Sequence, residues 1–338
     1  MTESKESILI IQTAFIGDAI LVSSMLEAIH HAEPKTELSL LVRKGNEGLY
    51  KAHPFLKEIL VLDKNKSWIS RTIGMLRKIR KRKFDVVINV QRFMSTGILT
   101  AFSGAALKIG FDKNPMSFLY SRTVKHVMRD GRHEVERNME LIGSLFLGQS
   151  GEPKLYPSKE AFEKVKRQGE YVCMAPSSVW YTKQWPKENW VALIKEIPTG
   201  IDILLIGGPS DRDMCADILK ESKRAHVFNT CGDYDLLESA ALMKNARMNY
   251  VNDSAPMHLA SAMNAQVTAI YCSTIPEFGF GPRSSSSLIV EVDEELACRP
   301  CGLHGKKECP LGHFDCSKTD PKVIAQKSLN SKNKKSRS

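Results

Sequence analysis

Residues 8–31 read ILIIQTAFIGDAILVSSMLEAIHH, in which an apolar run, a turn containing glycine and a helix-like segment follow one another. The run Ile8 to Ile11 predicts a β-strand, because branched apolar residues follow one another without a polar interruption. From Asp18 to His31 apolar residues recur at helical spacing, and Glu33-Pro34 ends that pattern. A strand that leads through a glycine turn into a helix is the repeating unit of parallel α/β sheets.

The same alternation continues through the first half of the chain. Three further strands are predicted, at Leu38 to Val42, Ile59 to Leu62 and Asp85 to Val90. Two further helices are predicted, at Trp68 to Arg82 and at Glu134 to Leu147. In the first of these helices one stripe holds Ile69, Ile73, Leu76 and Arg80. This alternation predicts a parallel sheet with helices on both faces and with binding sites at the carboxyl ends of its strands.

The second half repeats the pattern after a break. Gly148 to Pro157 is rich in glycine, proline and serine, which indicates a linker. Four strands are predicted beyond it, at Tyr171 to Ala175, Ile203 to Ile206, Met248 to Val251 and Val267 to Tyr271. We therefore predict a domain at 1–150, a second at 158–326 and a basic disordered tail at 327–338, with a cleft between the domains. The regular pattern is predicted to end at Cys298.

The composition is that of a soluble globular protein. Of the 338 residues, 42% are hydrophobic and 25% are charged, which provides apolar material for two cores and excludes wholesale disorder. No apolar run approaches the roughly 20 residues that cross a bilayer, and Met1 to Ser7 is too polar for a signal peptide. We expect a cytoplasmic protein whose eight cysteines are thiols or metal ligands rather than disulfides.

The formal net charge of +10 is concentrated in two clusters. The cations of the two clusters are Arg77, Lys78, Arg80, Lys81, Arg82 and Lys83, and Lys327, Lys332, Lys334, Lys335 and Arg337. Such clusters suit an anionic partner. A membrane surface is favoured over nucleic acid, because no aromatic residues interleave with the cations. The alternative is a solvated helix end and an unstructured tail.

The turn from Gln12 to Asp18 contains a candidate catalytic residue. Gly17 lets the backbone approach a ligand closely. Asp18 falls in the first turn of the predicted helix, where the helix dipole favours the ionised carboxylate. An ionised carboxylate at the carboxyl end of a strand can act as a general base. The alternative is that Asp18 only caps the helix.

Two turns of the second half carry groups that suit a nucleotide. Ser177, Ser178 and Lys183 lie before the predicted helix start at Pro186, where they offer hydrogen-bond donors and positive charge to a pyrophosphate. A plain polar loop is the alternative. Asp211 follows the glycine pair at 207–208 and could either bond a ribose hydroxyl or cap a helix.

A third turn, from Asn252 to Ala260, joins a strand to a short helix. Ser254 and the N–H groups of that helix start can hold phosphate oxygens, and His258 follows one turn later. The alternative is a helix cap followed by a core histidine.

Four cysteines follow the second domain's last predicted strand. Their spacing is Cys298-x2-Cys301-x7-Cys309-x6-Cys316. Four thiolates of this kind can bind a structural zinc ion that ties down an irregular segment. Unligated thiols are the alternative.

Several motifs, taken in order, resemble the ADP-heptose:lipopolysaccharide heptosyltransferases, which are inverting glycosyltransferases. The matching stretches are IGDAILVSSMLEAI, TKQWPKENW, NDSAPMHLASAMNAQVTAIY and CRPC, within roughly residues 8 to 320. The resemblance implies the GT-B fold, in which two doubly wound, Rossmann-like domains face each other across a cleft. The N-terminal domain would then be the acceptor side and the C-terminal domain would bind the nucleotide-sugar donor.

The resemblance also assigns roles to residues. It implies that Asp18 is the general base, that Lys183 contacts donor phosphate, and that Asp253, Ser254 and His258 hold the donor. Ala255 stands where the family often has glycine, and the places of Ser177 and Ser178 vary among relatives.

The implied reaction moves a heptose from ADP-heptose by direct displacement, with ADP leaving from the opposite face and no metal required. The implied acceptor is the lipid-linked, anionic inner core of lipopolysaccharide, reached at the cytoplasmic face of the inner membrane. Candidate acceptor ligands are Arg43, Arg92, Arg122 and Arg132. A nucleotide-sugar epimerase and a non-catalytic nucleotide-sugar-binding protein are the alternative functions, and no nucleic-acid partner is expected.

Overall fold

The fold is described from a computed structural model, which covers residues 6–65 and 67–330. The chain divides into two compact units, Met1–Tyr156 and Pro157–Ser338. Each unit is built on one six-stranded sheet in which every neighbouring pair of strands is parallel. The predicted α/β class is therefore confirmed in both halves of the chain.

The described residues of the first unit form six strands and five α-helices. The strands are β1 (Ser7–Gln12), β2 (Glu37–Arg43), β3 (Leu56–Leu62), β4 (Val86–Asn89), β5 (Leu107–Phe111) and β6 (Arg122–Val124). The helices are α1 (Ile16–Leu21), α2 (Ser23–Ala32), α3 (Trp68–Arg82), α4 (Met94–Ala101) and α5 (Glu134–Ile142). The strand order is β3-β2-β1-β4-β5-β6, and β1 lies at the centre with Ile8 to Ile11 fully buried. In this order the connections from β1 and β4 leave in opposite directions, which opens a crevice at their carboxyl ends.

The second unit repeats the arrangement, and its described residues form six strands and six α-helices. The strands are β7 (Tyr171–Ala175), β8 (Asp202–Leu205), β9 (Val227–Asn229), β10 (Met248–Asn252), β11 (Val267–Ile270) and β12 (Ser287–Val290). The helices are α6 (Lys159–Lys164), α7 (Lys187–Glu196), α8 (Arg212–Ser222), α9 (Leu236–Asn245), α10 (Ala255–Ala262) and α11 (Pro321–Asn330). The order β12-β11-β10-β7-β8-β9 places the carboxyl ends of β7 and β10 side by side. These two strand ends carry the second unit's candidate site.

The helix predicted from Asp18 to His31 is in fact two helices. It breaks at Val22, between α1 and α2. The hydroxyls of Ser23 and Ser24 donate to the carbonyls three residues earlier, at 2.6 and 2.8 Å, and such back-bonding bends helices. The backbone of Gly151 also lies close, because a Cβ placed there would be 2.1 Å from the Ser24 carbonyl oxygen.

One further expectation about a helix needs correction, and four strands were missed. The helix predicted to reach Leu147 ends at Ile142, because Gly143 follows it and the next residues form turns. Strands β5, β6, β9 and β12 were not predicted from the sequence. Two of them have only three residues and β12 is a partly exposed edge strand, so none carries a long apolar run.

The end of the chain is more regular than predicted. Helix α11 includes residues 327–330, which were expected to belong to a disordered tail. The helix forms because Ile324, Ala325 and Ser328 are buried against the second unit, where the Ser328 hydroxyl lies 2.8 Å from that of Tyr250. The rest of the predicted tail, 331–338, lies outside the described residues. Among the helices of the described ranges, none combines the length and apolar character that a bilayer crossing requires.

Candidate functional site

Asp18 lies just beyond the carboxyl end of β1, in the first turn of α1. Its side chain is partly exposed, yet protein atoms surround most of it. Burial raises the pKa of Asp18 to about 6, and repulsion from Glu134 adds to this shift. The backbone N–H groups of Asp18 and Phe15, together with Arg92, partly offset the increase. The result is a carboxylate that is ionised at neutral pH and more basic than an ordinary aspartate.

The capping alternative for Asp18 is only partly realised. The residue at the N-cap of α1 is Phe15, and no side chain caps this helix end. The Asp18 carboxylate does interact with the Phe15 N–H group, which is one half of a capping box. The other half is missing because phenylalanine has no side-chain acceptor. Asp18 can therefore help to fix the turn and still present a lone pair to a substrate.

Glu134 is the centre of a buried charge cluster beside Asp18. It begins α5, and its carboxylate lies 2.9 Å from the Arg137 guanidinium and 3.5 Å from the His126 ring. Arg137 is almost fully buried and also donates to the carbonyl of Arg132, at 2.7 Å. Burial would raise the pKa of Glu134, but His126 and Arg137 outweigh it and hold that pKa below its ordinary value. Glu134 is therefore a permanent negative charge that acts on Asp18. The sequence offered no signal for this cluster.

The loops after β1 to β5 form a hydrogen-bonded rim around the start of α1. The Thr13 hydroxyl donates to the Gln91 side chain at 2.8 Å, and the Asn114 amide donates to the Gln91 carbonyl at 2.9 Å. Lys64 donates to the Thr13 carbonyl at 2.7 Å, and Asn46 donates to the Ala14 carbonyl at 3.1 Å. These bonds tie together loops from distant parts of the sequence, and they hold the turn that carries Asp18.

The four arginines predicted to face an acceptor have different surroundings. Arg43 ends β2 and lies over the Phe15 ring, 5.6 Å from its centroid, and Arg92 is close enough to lower the pKa of Asp18. Arg132 is engaged by Asp130 and Glu140. Arg122 begins β6, so it lies at the amino edge of the sheet, opposite Asp18. Arg43 and Arg92 therefore lie with Asp18 at the carboxyl edge of the sheet.

In the second unit, Lys183 and Asp253 come together at the ends of β7 and β10. The Lys183 ammonium is 2.6 Å from an Asp253 carboxylate oxygen, and both side chains are mostly buried. The Thr274 hydroxyl donates to the same oxygen at 2.7 Å. The Asn252 side chain accepts from the Trp185 N–H group at 3.0 Å and donates to the Pro176 carbonyl at 2.7 Å. Two motifs about 70 residues apart in the sequence thus form one cluster.

Ser254 is the N-cap residue of α10, but its side chain makes no capping bond. Its hydroxyl is buried and has no hydrogen-bond partner within the described ranges. A buried hydroxyl of this kind is costly unless something bonds to it, and a phosphate oxygen at a helix start is a suitable acceptor. His258 is buried one turn along the same helix. This arrangement supports the anion-binding interpretation of the segment over a simple cap.

The remaining predicted ligands are less closely engaged. Asp211 accepts the Gly208 N–H group at 2.7 Å, which closes the 3-10 turn Pro209–Asp211, but at the N-cap of α8 its side chain makes no capping bond. Its role toward a ribose stays a prediction. Ser177 and Ser178 are half-buried in the loop after β7, where the Ser178 carbonyl accepts the Gln184 amide at 2.6 Å. Their hydroxyls remain candidates for donor contacts.

The cysteine-rich segment packs on the Lys183 turn. Thr182 is buried and exchanges two hydrogen bonds with Lys306, at 3.1 and 2.8 Å, and its hydroxyl also accepts from Ser273 at 2.9 Å. The Trp185 indole donates to the Ser317 carbonyl at 3.0 Å. The backbone of Gly305 runs so close to Lys183 that a Cβ there would be 2.9 Å from its Cγ atom. The segment therefore braces the turn that carries Lys183. The sequence analysis did not predict this contact.

The zinc hypothesis finds no support in this segment. In the described part of the chain, no group of three or more His, Cys, Asp or Glu side chains is arranged to hold a metal ion. All eight cysteines are free thiols, and Cys316 is buried in the core of the second unit. Hydrogen bonds and packing hold the segment in place.

Comparison with known proteins found a matching family and several relatives. Residues 73–312 match glycosyltransferase family 9 (heptosyltransferase). Lipopolysaccharide heptosyltransferase 3 of Escherichia coli is 21% identical over 278 residues, which cover 77% of this chain and 82% of that protein. The lipopolysaccharide core heptosyltransferase OpsX of Haemophilus influenzae is 22% identical, with 89% of this chain and 88% of that protein covered.

Two solved structures have the same fold. The E. coli ADP-heptose lps heptosyltransferase II superposes with a TM-score of 0.79 at 18% identity, over 97% of this chain and 99% of the other. The E. coli heptosyltransferase WaaC with ADP gives a TM-score of 0.73 at 20% identity, over 95% and 98% of the two chains. The similarity extends over both units, including the residues before 73.

Proposed function

Because this chain belongs to glycosyltransferase family 9, the heptosyltransferases, we propose that it transfers a heptose from ADP-heptose to the inner core of lipopolysaccharide. The proposal rests on the accessibility, the position and the pKa of the Asp18 carboxylate. Asp18 presents a partly accessible carboxylate at the carboxyl end of the central strand, with a pKa of about 6. A general base works best when its pKa lies close to the working pH. Asp18 is both accessible to a substrate and basic enough to accept a proton near neutral pH.

Asp18 acts on the acceptor in this mechanism. Its carboxylate removes the proton of the attacking hydroxyl while that oxygen forms a bond to the anomeric carbon of the heptose. The bond between the anomeric carbon and the β-phosphate oxygen breaks on the opposite face, so the configuration inverts and ADP carries away the bonding electrons. Arg92 and Arg43 supply positive charge on the same edge of the sheet for an anionic acceptor.

The second unit holds the donor and stabilises the leaving group. Lys183 bonds to Asp253 through one of its three protons, which leaves two for phosphate oxygens. The Ser254 hydroxyl and the N–H groups at the start of α10 add donors, and the His258 imidazole follows one turn later. These groups are set before the reaction begins, so they stabilise the charge that develops on ADP without reorganisation. Ser177, Ser178 and Asp211 complete the proposed donor contacts.

The location of the reaction follows from its acceptor. A lipid-linked core saccharide lies at a membrane surface, and we propose that the enzyme works there as a peripheral protein on the cytoplasmic face. The basic residues of 77–83 and of 327–337 attract anionic headgroups, at about 1 kcal/mol for each cation near the surface. On this proposal the first unit is the acceptor side and the second the donor side.

A transfer assay tests the function directly. The purified chain is incubated with ADP-heptose and heptose-deficient lipopolysaccharide core, and the product is analysed by mass spectrometry and by NMR of the new anomeric centre. Gain of one heptose mass with inverted configuration is expected. Conversion of ADP-heptose without acceptor would favour an epimerase, and ADP-heptose binding without transfer to any core acceptor would favour a binding protein.

A further inference from the structure

Helix α3 presents an apolar face to solvent. Its buried face consists of Thr72, Met75 and Ile79, which pack on the sheet of the first unit. The stripe seen in the sequence lies beside this buried face: its Leu76 packs partly against the core, but the side chain of Ile69 is 61% exposed and that of Ile73 is 44% exposed. An amphipathic helix normally turns its apolar stripe toward the core, and single exposed apolar residues are common. Two adjacent isoleucines one turn apart on an otherwise basic helix are a surface feature that calls for a partner.

The same outer face carries cations that no acid among the described residues neutralises. Arg80 continues the stripe of Ile69 and Ile73, and Arg77 and Lys81 flank it. In the described ranges these three cations form no ion pair, and α3 itself contains no acidic residue. Arg82 differs, because it pairs with Glu58 at 2.6 Å. The face therefore combines exposed apolar side chains with uncompensated positive charge.

The start of α3 is joined to the turn that holds Asp18. Arg71 of α3 donates to the Lys64 carbonyl at 2.6 Å, and Lys64 donates to the Thr13 carbonyl at 2.7 Å. Two large apolar side chains are exposed near this junction, Trp68 at 47% and Phe15 at 57%. A surface that engaged α3 would therefore lie beside the carboxyl edge of the sheet, where the acceptor is proposed to bind.

We propose that the outer face of α3, defined as Ile69, Ile73, Arg77, Arg80 and Lys81, docks on an anionic lipid bilayer. This inference rests on the proposed function, because a lipid-linked acceptor explains why the catalytic edge would meet a membrane. Helices of this composition lie in the interface plane, with apolar residues among the headgroups and acyl chains and cations facing anionic lipids. A nucleic acid would use the cations but would leave the isoleucines without a partner.

Vesicle binding by the full chain provides the test. Sedimentation with vesicles of phosphatidylethanolamine and phosphatidylglycerol is compared with vesicles of phosphatidylcholine alone, at low and high salt. We expect binding to the anionic vesicles only, weakened by salt. The variant Arg77→Gln/Arg80→Gln/Lys81→Gln should bind about 100-fold more weakly, at about fivefold for each cation. Ile69→Ser/Ile73→Ser should bind roughly tenfold more weakly.

Matched controls lie in the second unit. Lys159→Gln/Lys166→Gln/Lys195→Gln changes the net charge equally, and Ile289→Ser removes an isoleucine that is 40% exposed, close to the exposure of Ile73. Both should bind the vesicles as the unaltered protein does. Equal loss in the controls, absence of vesicle binding, or preferential binding of duplex DNA would overturn the proposal.

A transfer assay separates this inference from the proposed function. The α3 variants should transfer heptose normally to a lipid-free core saccharide and poorly to acceptor embedded in anionic vesicles. If the protein transfers heptose but never binds vesicles, the docking surface is wrong and the enzyme assignment stands. If α3-dependent vesicle binding occurs without any transfer, the docking surface stands and the proposed function fails.

Discussion

The ammonium of Lys183 and the carboxylate of Asp253 meet at 2.6 Å in the second unit. Lys183 follows β7 and Asp253 follows β10, and these strands are neighbours in the sheet. The pairing holds the lysine stem in place, and the Thr274 hydroxyl donates to the same carboxylate oxygen. A cation held in this way is a preorganised phosphate ligand, because little side-chain freedom remains to be lost when a ligand binds.

Lys183→Met should weaken ADP binding by about 10- to 100-fold, the value of a charge-assisted hydrogen bond. Asp253→Asn should also weaken it, because the lysine loses its anchor. In a double-mutant cycle the two changes should be less than additive. Titration calorimetry with ADP measures all four proteins. Lys187→Met is the control, since Lys187 of α7 pairs with Glu221 of α8, and equal losses in the control would contradict the role of Lys183.

Asp18→Asn should reduce transfer by about 10²- to 10⁴-fold, the range for loss of a general base, without changing ADP affinity. The same variant should be more stable at neutral pH. The folded pKa of about 6 exceeds the ordinary value of 3.8, so ionised Asp18 opposes folding above pH 6 and has no such effect below 3.8. The gain is at most about 3 kcal/mol and should disappear as the pH falls through that window.

Urea denaturation at several pH values measures this gain. Asp85→Asn is the matched control, because hydrogen bonds from Ser7 lower the pKa of Asp85. That substitution should slightly reduce stability and leave transfer intact. Normal turnover by Asp18→Asn would remove Asp18 from the mechanism.

The value of kcat/KM for transfer should fall as the pH drops through about 6, where Asp18 gains its proton. Glu134→Gln should move this inflection to lower pH, because the substitution removes the charge that repels the ionised form of Asp18. Glu136→Gln, in the same turn of α5, is the control and should leave the profile unchanged. An inflection that Glu134→Gln leaves in place would show that Glu134 does not tune the base.

Arg137→Met should destabilise the folded protein by about 3–5 kcal/mol, because Glu134 would remain buried without its cation. Adding Glu134→Gln to that variant should restore part of the loss. Arg132→Met, at a largely solvated pair with Asp130, should cost at most about 1 kcal/mol. Chemical denaturation followed by circular dichroism measures all three variants and the unaltered protein. Equal losses at the two arginines would argue against a special role for the buried cluster.

Gly305→Ala should weaken ADP binding, because the new Cβ would lie 2.9 Å from the Lys183 Cγ atom and displace the lysine. Its backbone φ of +78° adds strain. Gly302→Ala is a matched control, with a φ of +133° and nothing within 4 Å of the added Cβ. The control should lose some stability but keep its ADP affinity. Equal ADP affinities in the two variants would refute the bracing role of the cysteine-rich segment.

The sequence by itself determined the class of fold and most of the central strands. Buried parallel strands can be predicted from apolar runs such as Ile8 to Ile11, because both faces of such a strand are covered and each residue of the run is apolar. The apolar pattern did not predict the helix break at Val22. That break depends on hydroxyl bonds within the helix and on Gly151, which arrives from far along the chain.

Only the tertiary structure decided which side chains act on one another. The strand order brings β7 beside β10, so Lys183 meets Asp253, and the packing of α5 brings the charge of Glu134 to Asp18. Periodicity likewise places Ile69 and Ile73 on one stripe of α3 without revealing whether that stripe is covered. Sequence patterns report local geometry and average burial, whereas electrostatics and exposure depend on neighbours that only the folded chain supplies.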